Sequence, residues 1–147
     1  MPEYPDLAEL LPLAGRAILL DKIVTEGAKG VTTLARITSE HPFYSVELGG
    51  VPSWVGIELM AQTIGLHAGL VAQREHRLPR VGYLLGTRRY VPAVPFFQED
   101  TELVIAAEKL YSDAAGLGAY ACIIESSGKL LVNATVIVYQ GKEDANT

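Results

Sequence analysis

The spacing of apolar and polar residues changes period twice along the chain, and each change marks an element boundary. Residues 31–37 alternate Val31, Thr33, Ala35 and Ile37 against Thr32, Leu34 and Arg36, a weak period of two that predicts a strand. Residues 16–25 form a β-rich run before it. Glu26, Gly27, Ala28, Lys29 and Gly30 separate the two, which read as a hairpin or as neighbouring strands. A loop with Pro42, Gly49 and Gly50 fills 38–50. The period then lengthens. Ile57, Met60, Ala61, Ile64, Ala68 and Val71 recur at helical spacing and put a continuous apolar face on one long helix. Pro52 and Ser53 suit its start, and Pro79 forbids its continuation beyond the fading stretch 73–78. Gly56, Gly65 and Gly69 lie inside it, each costing about 1 kcal/mol against alanine. Close packing against a sheet or a partner backbone is the best use for them.

Strand-like periodicity returns at Val81. Five segments are β candidates: 81–85, 88–94, 101–111, 117–125 and 129–139, with turns at Gly116 and at Ser126, Ser127 and Gly128. Pro92 and Pro95 imply a sheet edge or a bulge. Residues 1–15 form an N-terminal arm with a helical turn at 6–11, capped by Asp6 and ended by Pro12 and Gly15. Residues 141–147 are a polar tail, and no internal repeat is present. A length of 147 residues fits a single α+β domain over 1–147. One long helix buried on both sides cannot lie on a solvated sheet face. It calls for an antiparallel sheet that wraps around it.

Composition narrows the function classes. Hydrophobic residues make up 49% of the chain and the formal net charge is −5, so no overall basic field attracts nucleic acid. Arg74, Arg77, Arg80, Arg88 and Arg89 nonetheless fall in one short stretch, a candidate patch for an acidic partner. Cys122 is the only cysteine and the three histidines are scattered, which gives no disulfide within the chain and no metal-ligand spacing. The N-terminus lacks the basic start and apolar run of a signal peptide. The greasiest stretch, 51–73, carries Glu58, Gln62 and His67, which makes a membrane span costly. The expectation is a soluble cytoplasmic protein with no metal and no membrane or nucleic-acid partner.

Two residues stand out for chemistry. His41 lies in the loop before the helix, and histidine is the usual base near neutral pH. Glu58 lies on the helix among Ile57, Met60, Ala61 and Ile64. Such surroundings are expected to raise the pKa of a buried carboxyl and keep a proton available. The plainer readings are a solvated loop histidine and a carboxylate on the polar edge of the helix. Gln62, one turn later, either bonds Glu58 or faces solvent. His67 reads as a packed histidine and His76 as surface.

The string Ile57-Glu58-Leu59-Met60-Ala61-Gln62 resembles the central-helix motif of the β-hydroxyacyl-ACP dehydratases, the FabZ and FabA group. Ala17 to Ile23 resembles that group's early strand, Leu85 to Tyr90 its strand after the helix, and Phe96 to Glu102 a later loop. The form His41-Pro42-Phe43, followed by Gly49-Gly50-Val51-Pro52-Ser53-Trp54-Val55-Gly56-Ile57-Glu58, is most similar to the ApeP-type dehydratases of aryl polyene pathways. The resemblance implies a hotdog fold and the dehydration of 3-hydroxyacyl thioesters, carried on acyl carrier protein, to trans-2-enoyl thioesters. It implies no cofactor beyond the carrier's phosphopantetheine arm. His41 would take the proton beside the thioester carbonyl and Glu58 would protonate the departing hydroxyl.

The same resemblance implies the rest of the site. Backbone N–H groups at the start of the central helix, around Gly49 to Ser53 and including Gly50 and Val51, would hold the developing oxyanion together with the helix dipole. Trp54 and Gln62 join them as substrate-binding residues, and Ile57, Tyr90, Phe96 and Phe97 are further candidates for an acyl tunnel. Arg88 and Arg89 would dock the carrier. The histidine and the acid would come from different protomers of a homodimer or heterodimer. The loop departs from the better-known members: His41 precedes Glu58 by 58 − 41 = 17 residues, where they have fourteen, and Tyr44 holds the fourteen-residue position. A thioesterase on the same fold and a non-catalytic partner subunit are therefore the alternatives.

Overall fold

A computed structural model describes residues 3–77, apart from 12 and 14, and residues 83–139. A short helix α1 (Leu7–Leu10) and a 3-10 turn precede β1 (Lys22–Glu26) and β2 (Gly30–Arg36). β3 (Gly50–Pro52) and a second 3-10 turn lead into the long helix α2 (Gly56–Arg74). Then follow β4 (Tyr83–Pro92), β5 (Phe96–Gln98), β6 (Glu102–Ser112), β7 (Leu117–Ser126) and β8 (Lys129–Tyr139). Six strands form one antiparallel sheet in the order β1-β2-β6-β7-β8-β4, and β3 pairs with β5 as a separate ribbon. The sheet packs around α2, which touches β2, β4, β6, β7 and β8. This is the hotdog arrangement.

Period two sets the inner face of the sheet. Val31, Thr33 and Ala35 on β2, Leu103, Ile105 and Ala107 on β6, and Val132, Ala134, Val136 and Val138 on β8 are all buried. The two segments expected at 81–85 and 88–94 are one strand, β4, which bends through bulges at 84–86 and 88–91. Arg89 takes φ 54° there. Extra bulged residues broke the alternation and so split one strand into two in the sequence pattern. Among the described residues β4 pairs with β8 alone, so Pro92 does sit on an edge. β1 begins six residues later than expected, after the 3-10 turn, and β3 and β5 are too short to show a period. Asp6 is the N-cap of α1 but makes no side-chain capping bond.

The helix is also oriented differently from the sequence expectation. Its innermost face is Leu59, Met60, Thr63, Ile64, Leu66, His67 and Leu70. Ile57, Ala61, Ala68 and Val71, counted on the apolar face, are only half-buried. The sheet and α1 cover most of the helix, and this stripe is what a single chain leaves open. Gly69 does not meet a partner. A Cβ there would lie 2.3 Å from the Leu10 carbonyl oxygen, so glycine lets α1 seat directly on α2. Within the core, the Thr63 hydroxyl donates to Leu59 O at 2.8 Å and lies 2.9 Å from the Thr33 hydroxyl, pinning helix to sheet without an unsatisfied polar atom. The segment Ser53–Arg74 is long and apolar enough to cross a membrane, but 67% of its window is buried inside the protein, which makes it a core helix.

His67 is 6% exposed, with Nδ1 3.4 Å from the Tyr120 hydroxyl. Burial holds its imidazole below the ordinary 6.5, Lys109 and Arg74 act the same way, and Glu26 opposes them. A depressed folded pKa favours the neutral ring. The stability it supports is present above the unfolded value and is lost as pH falls through the folded one. The thermal midpoint should therefore drop between about pH 7 and pH 5, and drop less in His67→Gln. Equal slopes for the two proteins would contradict this.

Candidate active site

The loop before β3 folds as a chain of turns. The His41 N–H donates to Thr38 O at 3.1 Å and the Tyr44 N–H to His41 O at 2.9 Å. The Tyr44 hydroxyl donates to Glu99 Oε1 at 2.6 Å, tying the loop to the turn after β5 and raising the phenol's pKa. Tyr44, which holds the fourteen-residue position, is thus a tether. His41 is half-buried. Its Nδ1 accepts from the Phe43 N–H at 3.1 Å, while Nε2 is buried with no hydrogen-bond partner. Burial holds the imidazole below 6.5, with Asp21 opposing and Arg16 adding to the shift. The ring borders a cavity of about 300 Å³ with Arg16, Asp21, Arg36 and Glu40.

Glu58 is the third residue of α2 and is solvent-exposed. This corrects the expectation of a desolvated acid. Met60 and Ile64 turn into the core, and Ile57 and Ala61 share the half-open side with Glu58. Gln62, one turn on, is 3% exposed and does not face solvent. Its Nε2 donates to Glu58 Oε1 at 3.0 Å and to Ala17 O at 2.7 Å, and its Oε1 accepts from the Leu19 N–H at 2.8 Å. Gln62 is therefore a positioning residue that holds the acid and fastens the segment before β1.

The other expected site residues divide. Trp54 is 58% exposed and meets Phe43 edge-on at 5.5 Å, while Phe43 lies 6.1 Å from the His41 ring. An exposed aromatic surface thus runs from the histidine loop to the helix start. Val51 is not available as a side chain, because it is 0% exposed in the core. Gly50 is buried in β3, where a Cβ would overlap the Phe97 carbonyl. Three of the expected oxyanion donors, Gly49, Gly50 and Ser53, are engaged. Gly49 and Gly50 N–H donate to Ser45 O, Ser53 N–H donates to Pro95 O, and Pro52 has no N–H. Of the tunnel candidates, Phe97 is core, Phe96 and Ile57 are half-buried, and the Tyr90 hydroxyl donates to Ser53 O. Burial pushes the Tyr90 phenol up to about 12.

The arginine stretch separates in space. Arg74 pairs with Glu26 at 2.8 Å and Arg77 with Glu75 at 2.6 Å, both at the far end of α2, and Arg80 lies outside the described residues. Arg74 is sixteen residues, roughly 24 Å, along the helix from Glu58. Arg88 and Arg89 are exposed on β4 just before Tyr90, which contacts the helix start. Among the described arginines of the stretch, only that pair lies at the Glu58 end.

No hydrogen bond or ion pair joins His41 to Glu58 among the described residues. The segment 16–21 links their surroundings instead. Arg16 and Asp21 act on His41, and Ala17 and Leu19 hold Gln62 beside Glu58. Sequence reasoning missed this segment as part of the site, because its hold on Gln62 is made by backbone groups of Ala17 and Leu19, which leave no side-chain signature. No group of three or more His, Cys, Asp or Glu residues that could hold a metal ion occurs among the described residues.

Residues 5–147 match the ApeP-like family model, described as ApeP dehydratase. Among solved structures the chain is similar to the dehydratase heterocomplex ApeI:P from Xenorhabdus doucetiae. The identity is 26% and the TM-score 0.89, covering 96% of this chain and 94% of that one. It also resembles a hypothetical thioesterase with coenzyme A from Streptococcus pneumoniae, at 15% identity and TM-score 0.62, covering 84% of this chain and 88% of that one. AziG of S. sahachiroi is similar at 10% identity and TM-score 0.63, covering 83% and 91%. These last two show the fold alone. No curated protein matches the chain significantly. The family match spans all the site residues described above, and the chain belongs to the ApeP dehydratase family.

Proposed function

We propose that this protein dehydrates 3-hydroxyacyl thioesters, carried on acyl carrier protein, to trans-2-enoyl thioesters in a polyene or fatty-acid-like pathway. His41 and Glu58 are the two side chains at the reacting carbons. The family match over 5–147 carries the reading. An unpartnered, buried imidazole nitrogen and an exposed, oriented carboxylate at the helix start support it. In the working assembly the histidine and the acid face each other across a subunit boundary. The second subunit is either a second copy of this chain, where His41 of one copy faces Glu58 of the other, or a different hotdog chain as in the ApeI:P heterocomplex, where each faces its counterpart on the partner. The half-buried stripe on α2 and the open edge of β4 are the surfaces available to it. The substrate's own phosphopantetheine arm serves in place of a cofactor, and the reaction takes place in the cytoplasm.

The likeness to a heterocomplex also favours a second reading, in which this chain stabilises a catalytic partner and does no chemistry itself. The two separate cleanly. In a purified complex, Glu58→Gln on this chain slows turnover at its site about 10²–10⁴-fold under the first reading and changes nothing under the second.

Arg88 and Arg89 serve as the carrier-docking pair. Arg88→Glu with Arg89→Glu should raise KM for an acyl-carrier substrate about tenfold or more, since rim charges act chiefly on encounter. It should leave a small acyl thioester unaffected. Equal losses on both substrates would remove the docking role.

A further inference from the structure

We propose that Tyr90 is a positioning residue for the reaction: it fixes the start of α2, and through it Glu58, by a hydrogen bond to Ser53 in a space that glycine at position 56 keeps open. The inference rests on the reading of Glu58 as a reacting group and adds a residue that acts through it.

The β4 bulge is built to deliver this side chain. Between Arg88, opposite Thr135, and Val91, opposite Asn133, β4 carries one residue more than β8. In a regular strand Arg88 and Tyr90 would share a face. Here Arg88 and Arg89 are exposed and Tyr90 is half-buried. The extra residue is absorbed at Arg89, whose φ of 54° lies in the left-handed region that a side chain disfavours. Local strain of this kind persists where it aims a side chain, and the side chain aimed here is Tyr90.

The Tyr90 ring meets the helix start. Its hydroxyl donates to Ser53 O, which also accepts from the Gly56 N–H. The Ser53 N–H donates to Pro95 O at 3.1 Å. One residue is thus tied to β4 through its carbonyl and to the bend before β5 through its amide. Burial pushes the phenol up to about 12, so the hydroxyl keeps its proton and stays a donor.

Gly56 supplies the room. A Cβ there would overlap the Tyr90 hydroxyl oxygen, while Ile124 Cδ1 at 3.0 Å and Phe97 Cζ at 3.3 Å would have to give only slightly. Its φ of −56° and ψ of −29° are ordinary helical values, so the backbone does not require glycine. Alanine would favour the helix by about 1 kcal/mol. The clash it would make is with the group that holds Ser53.

Glu58 lies two residues beyond Gly56. It is exposed, and its one hydrogen bond among the described residues comes from Gln62. No packing of its own places the carboxylate. The helix start, held through Ser53, and Gln62 one turn on decide where it stands.

Tyr90→Phe, Gly56→Ala and the double variant test this in the purified protein, alone and with a second hotdog subunit, well below each melting midpoint. Tyr90→Phe keeps the Gly56 bond to Ser53 O, so no backbone group is orphaned. It should lower kcat about ten- to a hundredfold, the effect of misplacing a reacting group by about 1 Å, and leave KM for a 3-hydroxyacyl-carrier substrate unchanged. Gly56→Ala should lower kcat at least as far. The double variant should be no slower than Tyr90→Phe, because phenylalanine leaves space for the methyl and the bond is already gone. A full kcat in Tyr90→Phe, a loss carried by KM, or losses that multiply in the double variant would overturn the inference. Glu58→Gln beside them separates the two readings. If it is slow while Tyr90→Phe runs at full rate, Tyr90 alone is removed; if Glu58→Gln itself runs at full rate, the reacting acid falls and the clamp with it.

Discussion

Glu58→Gln should slow dehydration of a 3-hydroxyacyl-carrier substrate by about 10²–10⁴-fold, the range for loss of a positioned acid or base. Thermal stability should barely move. The side chain is exposed, and its one hydrogen bond, from Gln62, can be kept by the amide oxygen of glutamine. The loss should appear in kcat rather than KM, because the carboxylate acts on the proton in flight and not on the carrier. The rate of enoyl thioester formation and the melting curve of the same preparation check both halves. A stable variant with full turnover would place the chemistry elsewhere.

Gln62→Leu should act on stability and rate together. The side chain is buried, and its amide makes three hydrogen bonds: to Glu58, to the Ala17 carbonyl and from the Leu19 N–H. Leucine fills the space but leaves two backbone groups of the segment before β1 without partners. At about 1–3 kcal/mol for each orphaned buried group, the cost is about 2–6 kcal/mol. For a chain of this size that corresponds to a fall of roughly 4–24 °C in the melting midpoint. Glu58 would also lose its positioning donor, so kcat should fall about tenfold even well below the new midpoint. Gln62→Glu, which keeps an acceptor for Leu19 but places a second carboxylate beside Glu58, should be worse for the rate than for the fold. A Gln62→Leu variant that melts with the wild type would show that the segment 16–21 is held by something else.

The elements legible in the sequence were those with a long, regular period. β2, β6, β7, β8 and the body of α2 are of this kind. The wrapped sheet follows from them, because a helix apolar on so many sides has nowhere else to go. β4 was read as two strands because its bulges interrupt the alternation. The three-residue ribbon strands β3 and β5 lie in stretches whose turn residues dominate the pattern.

The site was legible in its residue types and less so in its surroundings. His41 and Glu58 were visible as chemistry-bearing side chains at the two ends of one loop–helix unit. The exposure of Glu58 was not, because helical spacing fixes which residues share a face and not which face the sheet will cover. Val51 and the loop amides were named as ligand contacts, yet the fold uses them for core packing and turn bonds. The arginine stretch looked continuous in sequence, but Arg74 lies roughly 24 Å along the helix from Glu58, whereas Arg88 and Arg89 precede Tyr90 at the helix start.

The most direct measurement follows the carrier-bound acyl chain by mass. The purified protein, alone and with a second hotdog subunit, is incubated with a 3-hydroxyacyl-carrier substrate beside its Glu58→Gln variant. The account predicts an acyl chain that loses one water and stays attached to its thiol, in wild type and not in the variant. Release of free carrier thiol, or equal water loss with Glu58→Gln in the complex, would contradict it.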